Sequence, residues 1–498
     1  VANDPVVIGI DLGTSAVKVL AVTTDGNQVA LESEFYGLET PQPLYVEQDA
    51  ETVYRATMRV LARVIADVRL RGNDVAAIGF SAAMHGVLCV DEGGEPLSHV
   101  LTWMDRRSSA IADGWRADGT AATLYRETGA PMHPMLPIAK LRWLAQNEPA
   151  LFKRTARFVG LKELFVYRWT GEWLIDWGIA GATGMFAFAS RTWSEQALSL
   201  AGVDATRLST LTAPSTARTK IQPAIAHELG IGEDTAVVLA SSDGALANIG
   251  TGTSAGDLAV TLGTSGAVRT LSPVPVLDDR CRTFCYPADD TTFVIGGPTS
   301  SAGASLDWIF ALLLAEIPKE KRFNQAAEFA AQIAPGADGC TVLPFLSGER
   351  APYWNSSLRG SFAGLDLAHD RRNILRASFE GVVFGVFAVY EILRERLGPG
   401  QRLLLSGGLT KSQLVREMLA DVFAVETVQP HQEEASAFGA ALVAAQSRQL
   451  VTNAIEAARS AGYDAPVRPD PSTSTKYRAP YERYRMRVDR ELDPAGRP

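Results

Sequence analysis

Apolar positions recur along the chain in two alternating periods. Residues 6–10 form an unbroken, mostly β-branched run, and 18–22 and 28–31 follow across short polar breaks. Asp25-Gly26-Asn27 supplies hairpin-turn chemistry, so the N-terminus reads as a strand, a tight polar loop, a strand, a turn and a third strand. Beyond it, 50–69 has the spacing of an amphipathic helix, 75–80 reads as a strand, and 139–146 and 161–169 read as helices. The second half repeats the mixture, with helices over 306–314, 372–397 and 411–423 and strands over 341–344 and 401–405. The proline-rich polar segment 465–474 reads as a loop, and Tyr477, Tyr481 and Tyr484 as the docking face of a last helix. A mixed α/β architecture follows.

One pattern repeats at long range. Leu12-Gly13-Thr14-Ser15 returns as Leu262-Gly263-Thr264-Ser265, 250 residues on, and each copy lies between two apolar strands. An offset of about half the chain means duplicated halves and not a short-period solenoid. Gly250-Thr251-Gly252-Thr253-Ser254-Ala255-Gly256 reads as the linker, which divides the 498 residues into 1–252 and 253–498.

Charge narrows the partners. The 47 Lys and Arg are outnumbered by 56 Asp and Glu and form no basic block, which argues against nucleic acid or an anionic membrane. No run approaches the ~18 consecutive apolar residues of a span; the best stretch, 381–390, is bounded by Glu380 and Glu391. The start of the chain lacks a basic region followed by a cleavage site, so a cytoplasmic protein is expected. Cys89, Cys281, Cys285 and Cys340 are too few and scattered for a disulfide framework or a zinc site, and read as free thiols.

The chain lacks the lysine-bearing phosphate loop of P-loop enzymes, and 250–256 misses the glycine spacing of a dinucleotide fold. The Gly-Thr-Ser loops offer another architecture. A tight turn after a strand exposes backbone N–H groups, glycine admits close approach, and the hydroxyls add donors. Gly13, Thr14 and Ser15, with Lys18 on the following strand, and Gly263, Thr264 and Ser265 could then clamp a triphosphate between the halves. Either loop alone is equally well a plain β-turn. Asp11 precedes the first loop where Thr261 precedes the second, which points to Asp11 as the Mg²⁺ anchor, acting through water.

These residues carry a resemblance. Ile10 to Ser15 with its distant partner resembles the two phosphate loops of the sugar kinase, actin and heat-shock chaperone ATPase superfamily. Met135-Leu136-Pro137-Ile138-Ala139-Lys140-Leu141-Arg142-Trp143-Leu144-Ala145-Gln146-Asn147 resembles one signature of the FGGY carbohydrate kinases. Gly360-Ser361-Phe362-Ala363-Gly364-Leu365, continuing through Asn373-Ile374 to Ala377-Ser378-Phe379-Glu380, resembles the other. The resemblance extends from about residue 6 to the tyrosine helix. It implies a duplicated ribonuclease H-like (actin-like ATPase) fold of two α/β domains with an interdomain cleft, and ATP and Mg²⁺ as cofactors. It also implies Asp243 as catalytic base and second metal contact, and Gly407, Gly408 and Ser412 beside the adenosine.

For the acceptor, Met84-His85 is shared by xylulokinases and gluconokinases. Trp103, Asp105 and Arg106, His133 within Gly129 to Pro137, and Lys162 resemble the gluconokinase form. An aldonate differs from a ketose by its carboxylate, which wants a fixed cation or several donors. Arg106, His133 and Lys162 are the candidates for it, and Asp105 for accepting from sugar hydroxyls. The expectation is a gluconokinase acting on a small-molecule sugar acid, with a homodimer as its assembly. The alternatives are a xylulokinase or other sugar kinase, and a catalytically silent sugar or nucleotide sensor.

Overall fold

The computed structural model describes residues 5–70, 74–214 and 218–493; the outermost residues of both expected domains lie outside these. Two six-stranded mixed sheets organise the chain. The first contains β1 (Val6–Leu12), β2 (Ala16–Thr23), β3 (Gln28–Phe35), β4 (Val75–Ala82), β5 (Arg218–Lys220) and β6 (Ala236–Ser242), in the order β5-β6-β4-β1-β2-β3. The second contains β7 (Leu258–Leu262), β8 (Gly266–Ser272), β9 (Phe284–Pro287), β10 (Phe293–Thr299), β11 (Leu403–Ser406) and β12 (Thr427–Val428), in the order β9-β10-β8-β7-β11-β12. In both, the first strand pairs antiparallel with the second and parallel with a strand that comes much later in the half. The expected duplication is thus visible as a shared topology, and each Gly-Thr-Ser loop is the hairpin joining a half's first two strands.

β1 is buried on both faces, which explains its unbroken apolar run. Val6, Ile8 and Ile10 pack against α1 (Ala50–Leu70) and α2 (Leu161–Thr170). Val7 faces the other way, onto α5 (Ala435–Ser447) and α6 (Ala454–Ser460). Between these, α3 (Asp243–Gly250) follows β6, and α4 (Arg371–Leu397) crosses the second half. Gly9 and Gly79 lie under α5, where a methyl group on either would overlap the carbonyl of Ala437 or Ala440.

α4 starts where the sequence signals it. The Asp370 side chain accepts the Arg372 amide, and Asn373 Oδ1 accepts the Asp370 amide in return. It is the one helix among the described residues long and apolar enough to cross a membrane, yet 89% of its most apolar window is buried inside the protein. All four cysteines are free.

One expectation gains detail and one is corrected. The linker segment 250–256 is tied down: Thr251 and Thr253 are buried, Tyr463 Oη donates to Thr251 O at 3.0 Å, and Arg459 Nε donates to Gly252 O at 2.9 Å. The second half therefore reaches back, through α5 and α6, to cover the first sheet. The expected loop 465–474 contains the start of a short helix, Pro471–Lys476, capped by Asp470, whose side chain accepts the Ser472 amide. Asp followed by Pro is a helix-start signal.

Candidate active site

Both Gly-Thr-Ser turns are built so that their carbonyls are occupied. In the first, Gly13 O accepts from Tyr36 Oη (2.6 Å), Thr14 O from Gln48 Nε2 (3.0 Å) and Ser15 O from the Tyr36 amide (2.9 Å). In the second, Gly263 O and Thr264 O accept from the Gly303 and Ala304 amides (2.9 and 3.0 Å), and Ser265 O from the Gly263 amide (3.0 Å). Different parts of the chain thus reach one result: each loop keeps amides and hydroxyls to offer a ligand, the chemistry of a phosphate cradle. Gly407, at φ +94°, follows β11 and abuts the second loop, where a side chain would clash with Leu262 O. Gly408 is exposed with open space around it, and Ser412 is half-buried.

Asp11 is the next-to-last residue of β1, and Ser81 Oγ donates to its Oδ1 at 2.6 Å. Asp243 opens α3 directly after β6, where its Oδ1 accepts the Gly244 amide at 2.6 Å. The two carboxylates feel each other. Burial pushes Asp11 up to about 6, opposed by the Ser81 bond, and Asp243 adds to the rise. Burial likewise raises Asp243, against the pull of Arg269, Arg350 and Lys162. Lys18 lies beside Asp11 and pairs with Glu434 at 2.6 Å.

The residues expected at the sugar draw partners from both halves. Trp103 Nε1 donates to Thr14 Oγ1 at 2.8 Å, linking it to the first phosphate loop, and the Arg350 guanidinium stacks on its ring with Cζ 4.5 Å from the centroid. His85, at φ +69°, bonds through Nδ1 to Ala182 O at 2.7 Å. Burial, with Lys140 and Arg350 nearby, drives it down to about 3. Its ring is neutral with Nδ1–H donating, so Nε2 is an acceptor for a hydroxyl. Met84 packs between apolar clusters from the two halves. Arg106 reaches across to Ser347 O at 3.4 Å.

Residues 6–250 match the N-terminal domain of the FGGY family of carbohydrate kinases, and residues 258–447 match its C-terminal domain. The chain belongs to the FGGY carbohydrate kinases. It is 35% identical to a gluconokinase of Bacillus subtilis over 446 residues, covering 88% of this chain and 86% of that one. It is 31% identical to a xylulose kinase of the same organism over 441 residues, covering 88% and 87%. Two Lactobacillus acidophilus crystal structures superpose with TM-scores of 0.92 over 99% of both chains: a ligand-bound xylulose kinase at 30% identity and a gluconate kinase at 29%. This kinase therefore has the actin-like ATPase fold and is ATP-dependent.

Two residues expected at the sugar are committed elsewhere. Lys162 is buried with its Nζ bonded to Leu239 O (2.9 Å) and Ser241 O (2.8 Å) and ion-paired with Asp176 Oδ2 (2.6 Å), so its charge is already matched. It braces the end of β6 below Asp243. Asp105 is fully buried, and its carboxylate is taken by Arg107 and the Val46 amide. Two cations outside the sequence candidates stand near Asp243. Arg269 and Arg350, both from the second half, flank Asp243, and neither has an ion-pair partner within 4 Å among the described residues. Arg269 Nε, Tyr286 Oη, Ser241 Oγ, Glu349 Oε2 and Arg350 Nε are buried without a well-formed hydrogen bond. Clustered orphan polar atoms mark a ligand's place more strongly than any single motif.

Proposed function

We propose that this kinase transfers the γ-phosphoryl group of ATP to the terminal 6-hydroxyl of D-gluconate. The observation that supports an acid over a neutral sugar is the charge of the acceptor end: the buried Arg350 has no direct ion pair among the described residues, where Lys162 and Asp105 are already paired. The higher identity to gluconokinases than to xylulose kinases agrees with it. A xylulokinase is the second reading, favoured by the equally good superposition on the ligand-bound xylulose kinase.

In this reading the halves 1–252 and 253–498 act as the two domains of the cleft. Gly13, Thr14 and Ser15 with Lys18, and Gly263, Thr264 and Ser265, hold the phosphates, and Gly407, Gly408 and Ser412 border the adenosine. Asp243 orients the 6-hydroxyl and accepts its proton as the oxygen bonds to the γ-phosphorus and the bond to ADP breaks. The raised affinity of Asp243 for a proton suits that role. Asp11 and Asp243 form a pair of neighbouring carboxylates with no third acidic ligand among the described residues. This suits Mg²⁺, which keeps waters and phosphates in its shell, and when bound it would neutralise phosphate charge. His85 Nε2, Trp103, Met84, Arg106 and His133 line the sugar. A cytoplasmic homodimer completes the proposal, with sedimentation velocity as its test.

ADP release measured side by side with D-gluconate, D-xylulose, L-ribulose and glycerol tests the substrate. Gluconate is expected to be turned over with the highest kcat/KM. Inert gluconate alongside active xylulose would overturn the assignment, and nucleotide binding without turnover of any acceptor would favour a silent sensor.

A further inference from the structure

Arg350 is a deeply enclosed cation of the cleft. It is 7% exposed, its Nη2 donates to Thr299 O at 2.8 Å, and its Nε donates to nothing among the described residues. Its sequence neighbour Glu349 makes no ion pair with it, because Glu349 Oε1 accepts the amides of Ser300 and Arg350 instead, so that Glu349 and Asp243 favour the guanidinium only from a distance. A buried guanidinium with no direct ion pair is costly to keep, and a ligand anion relieves that cost.

His133 supplies the complement from the other half. Its Nδ1 accepts the Met135 amide at 3.2 Å, so the ring proton sits on Nε2, which bonds to no described residue. The ring is buried and meets Trp354 edge-on, with centroids 5.9 Å apart. Trp354 in turn donates its amide to Arg350 O at 2.6 Å, so the turn that carries Arg350 also seats His133. Burial and the nearby Arg350 charge keep the imidazole neutral, which leaves Nε2–H as a fixed donor.

Contacts distinguish the two arginines, which lie close enough to repel each other. Arg269 Nε lies 3.1 Å from where a side-chain carbon on Gly244 would stand, beside Asp243. Arg350 lies over the Trp103 ring, and its charge is felt at His133 and His85 as well as at Asp243. An acceptor with its terminal hydroxyl at Asp243 would extend along this second direction.

We infer that Arg350 and His133 together hold the acceptor's carboxylate, the guanidinium through its free N–H groups and the imidazole through Nε2–H. The inference rests on the sugar-acid reading above and gives it a selectivity mechanism. A neutral sugar leaves buried donors of both halves unpartnered, which disfavours it.

The test compares calorimetric affinities for D-gluconate and for D-glucitol, which carries CH₂OH in place of the carboxylate, in the full-length protein. Arg350→Gln and His133→Phe are each expected to weaken gluconate about 10- to 100-fold, the range of a hydrogen bond to a charged group, while glucitol changes by less than about 3-fold. Arg350→Lys should fall between wild type and Arg350→Gln. In steady state the gluconate KM of His133→Phe should rise with kcat nearly constant, because the carboxylate is remote from the transferred group. Equal losses for both ligands, no change in either, or a fall in kcat at constant KM would overturn the inference; thermal melts identify a variant that has merely misfolded, and His133 and Arg350, on different halves, give independent tests. A wild type inactive on gluconate defeats the proposed substrate itself. A gluconate-active wild type whose selectivity survives both substitutions defeats only the carboxylate site.

Discussion

Asp11→Asn should stabilise the kinase while disabling it. The carboxyl of Asp11 is pushed from an ordinary 3.8 up to about 6, first by burial and then by Asp243 and Glu434, against the Ser81 bond and Lys18. A raised value in the fold means that the native state holds the proton more tightly than the unfolded chain does. The associated stability is present in full below pH 3.8 and is lost as pH rises through 6. At 1.36 kcal/mol per pKa unit, the ionised carboxylate costs about 3 kcal/mol at pH 8, a ceiling because residual solvent contact screens it, and about half of that at pH 5. Asparagine has no charge to lose, and its Oδ1 can still accept from Ser81 Oγ. The variant should therefore melt roughly 3 °C above wild type at pH 8, if the chain unfolds cooperatively. That difference should halve by pH 5. The assay is thermal unfolding from pH 5 to 8 without nucleotide and with chelator, beside ADP-release kinetics, in which kcat should fall steeply. An equal gain at both pH values, or a loss at pH 8, would refute the assignment of Asp11 as a destabilised carboxylate of the cleft.

Asp243→Asn should lower kcat by about 10²- to 10⁴-fold, the usual worth of a general base; near-normal turnover would remove it from that role. Lys162→Met leaves Asp176 buried and unpaired and should destabilise by about 3–5 kcal/mol, whereas Lys162→Met with Asp176→Leu should recover most of the loss. A double-variant cycle by denaturant unfolding checks this, and additive losses would contradict the brace drawn here. Sugar with a nucleotide analogue should compact the protein in small-angle scattering, because the phosphate loops and the acceptor site draw on both halves; an unchanged radius of gyration would count against closure.

Much of the architecture is written in local pattern. The apolar run of β1, the turn at Asp25-Gly26-Asn27 and the capped start of α4 depend on neighbours a few residues away, so periodicity and turn chemistry carry them. The 250-residue echo of Gly-Thr-Ser was likewise readable, since a strand, a tight turn and a strand need the same residues in either half. Even the missed helix at Pro471 announced itself through Asp470.

The roles of charged side chains depended on partners far along the chain. Lys162 looked like an anion ligand until Asp176 and the carbonyls of Leu239 and Ser241 were placed around it. Asp105 looked like a sugar contact until Arg107 folded back onto it and Val46 was brought within reach. Arg350 was not among the site candidates, because its meaning lies in what surrounds its guanidinium: no ion pair among the described residues, a tryptophan face beneath and a histidine from the other half nearby. The sequence by itself determined the strands and the paired loops, because these follow from backbone geometry and short spacing, and its resemblance to the FGGY kinases carried the kind of reaction. Only the tertiary structure decided which charges are neutralised and which wait for a ligand, because charge compensation is set by distances of a few ångströms between residues hundreds of positions apart.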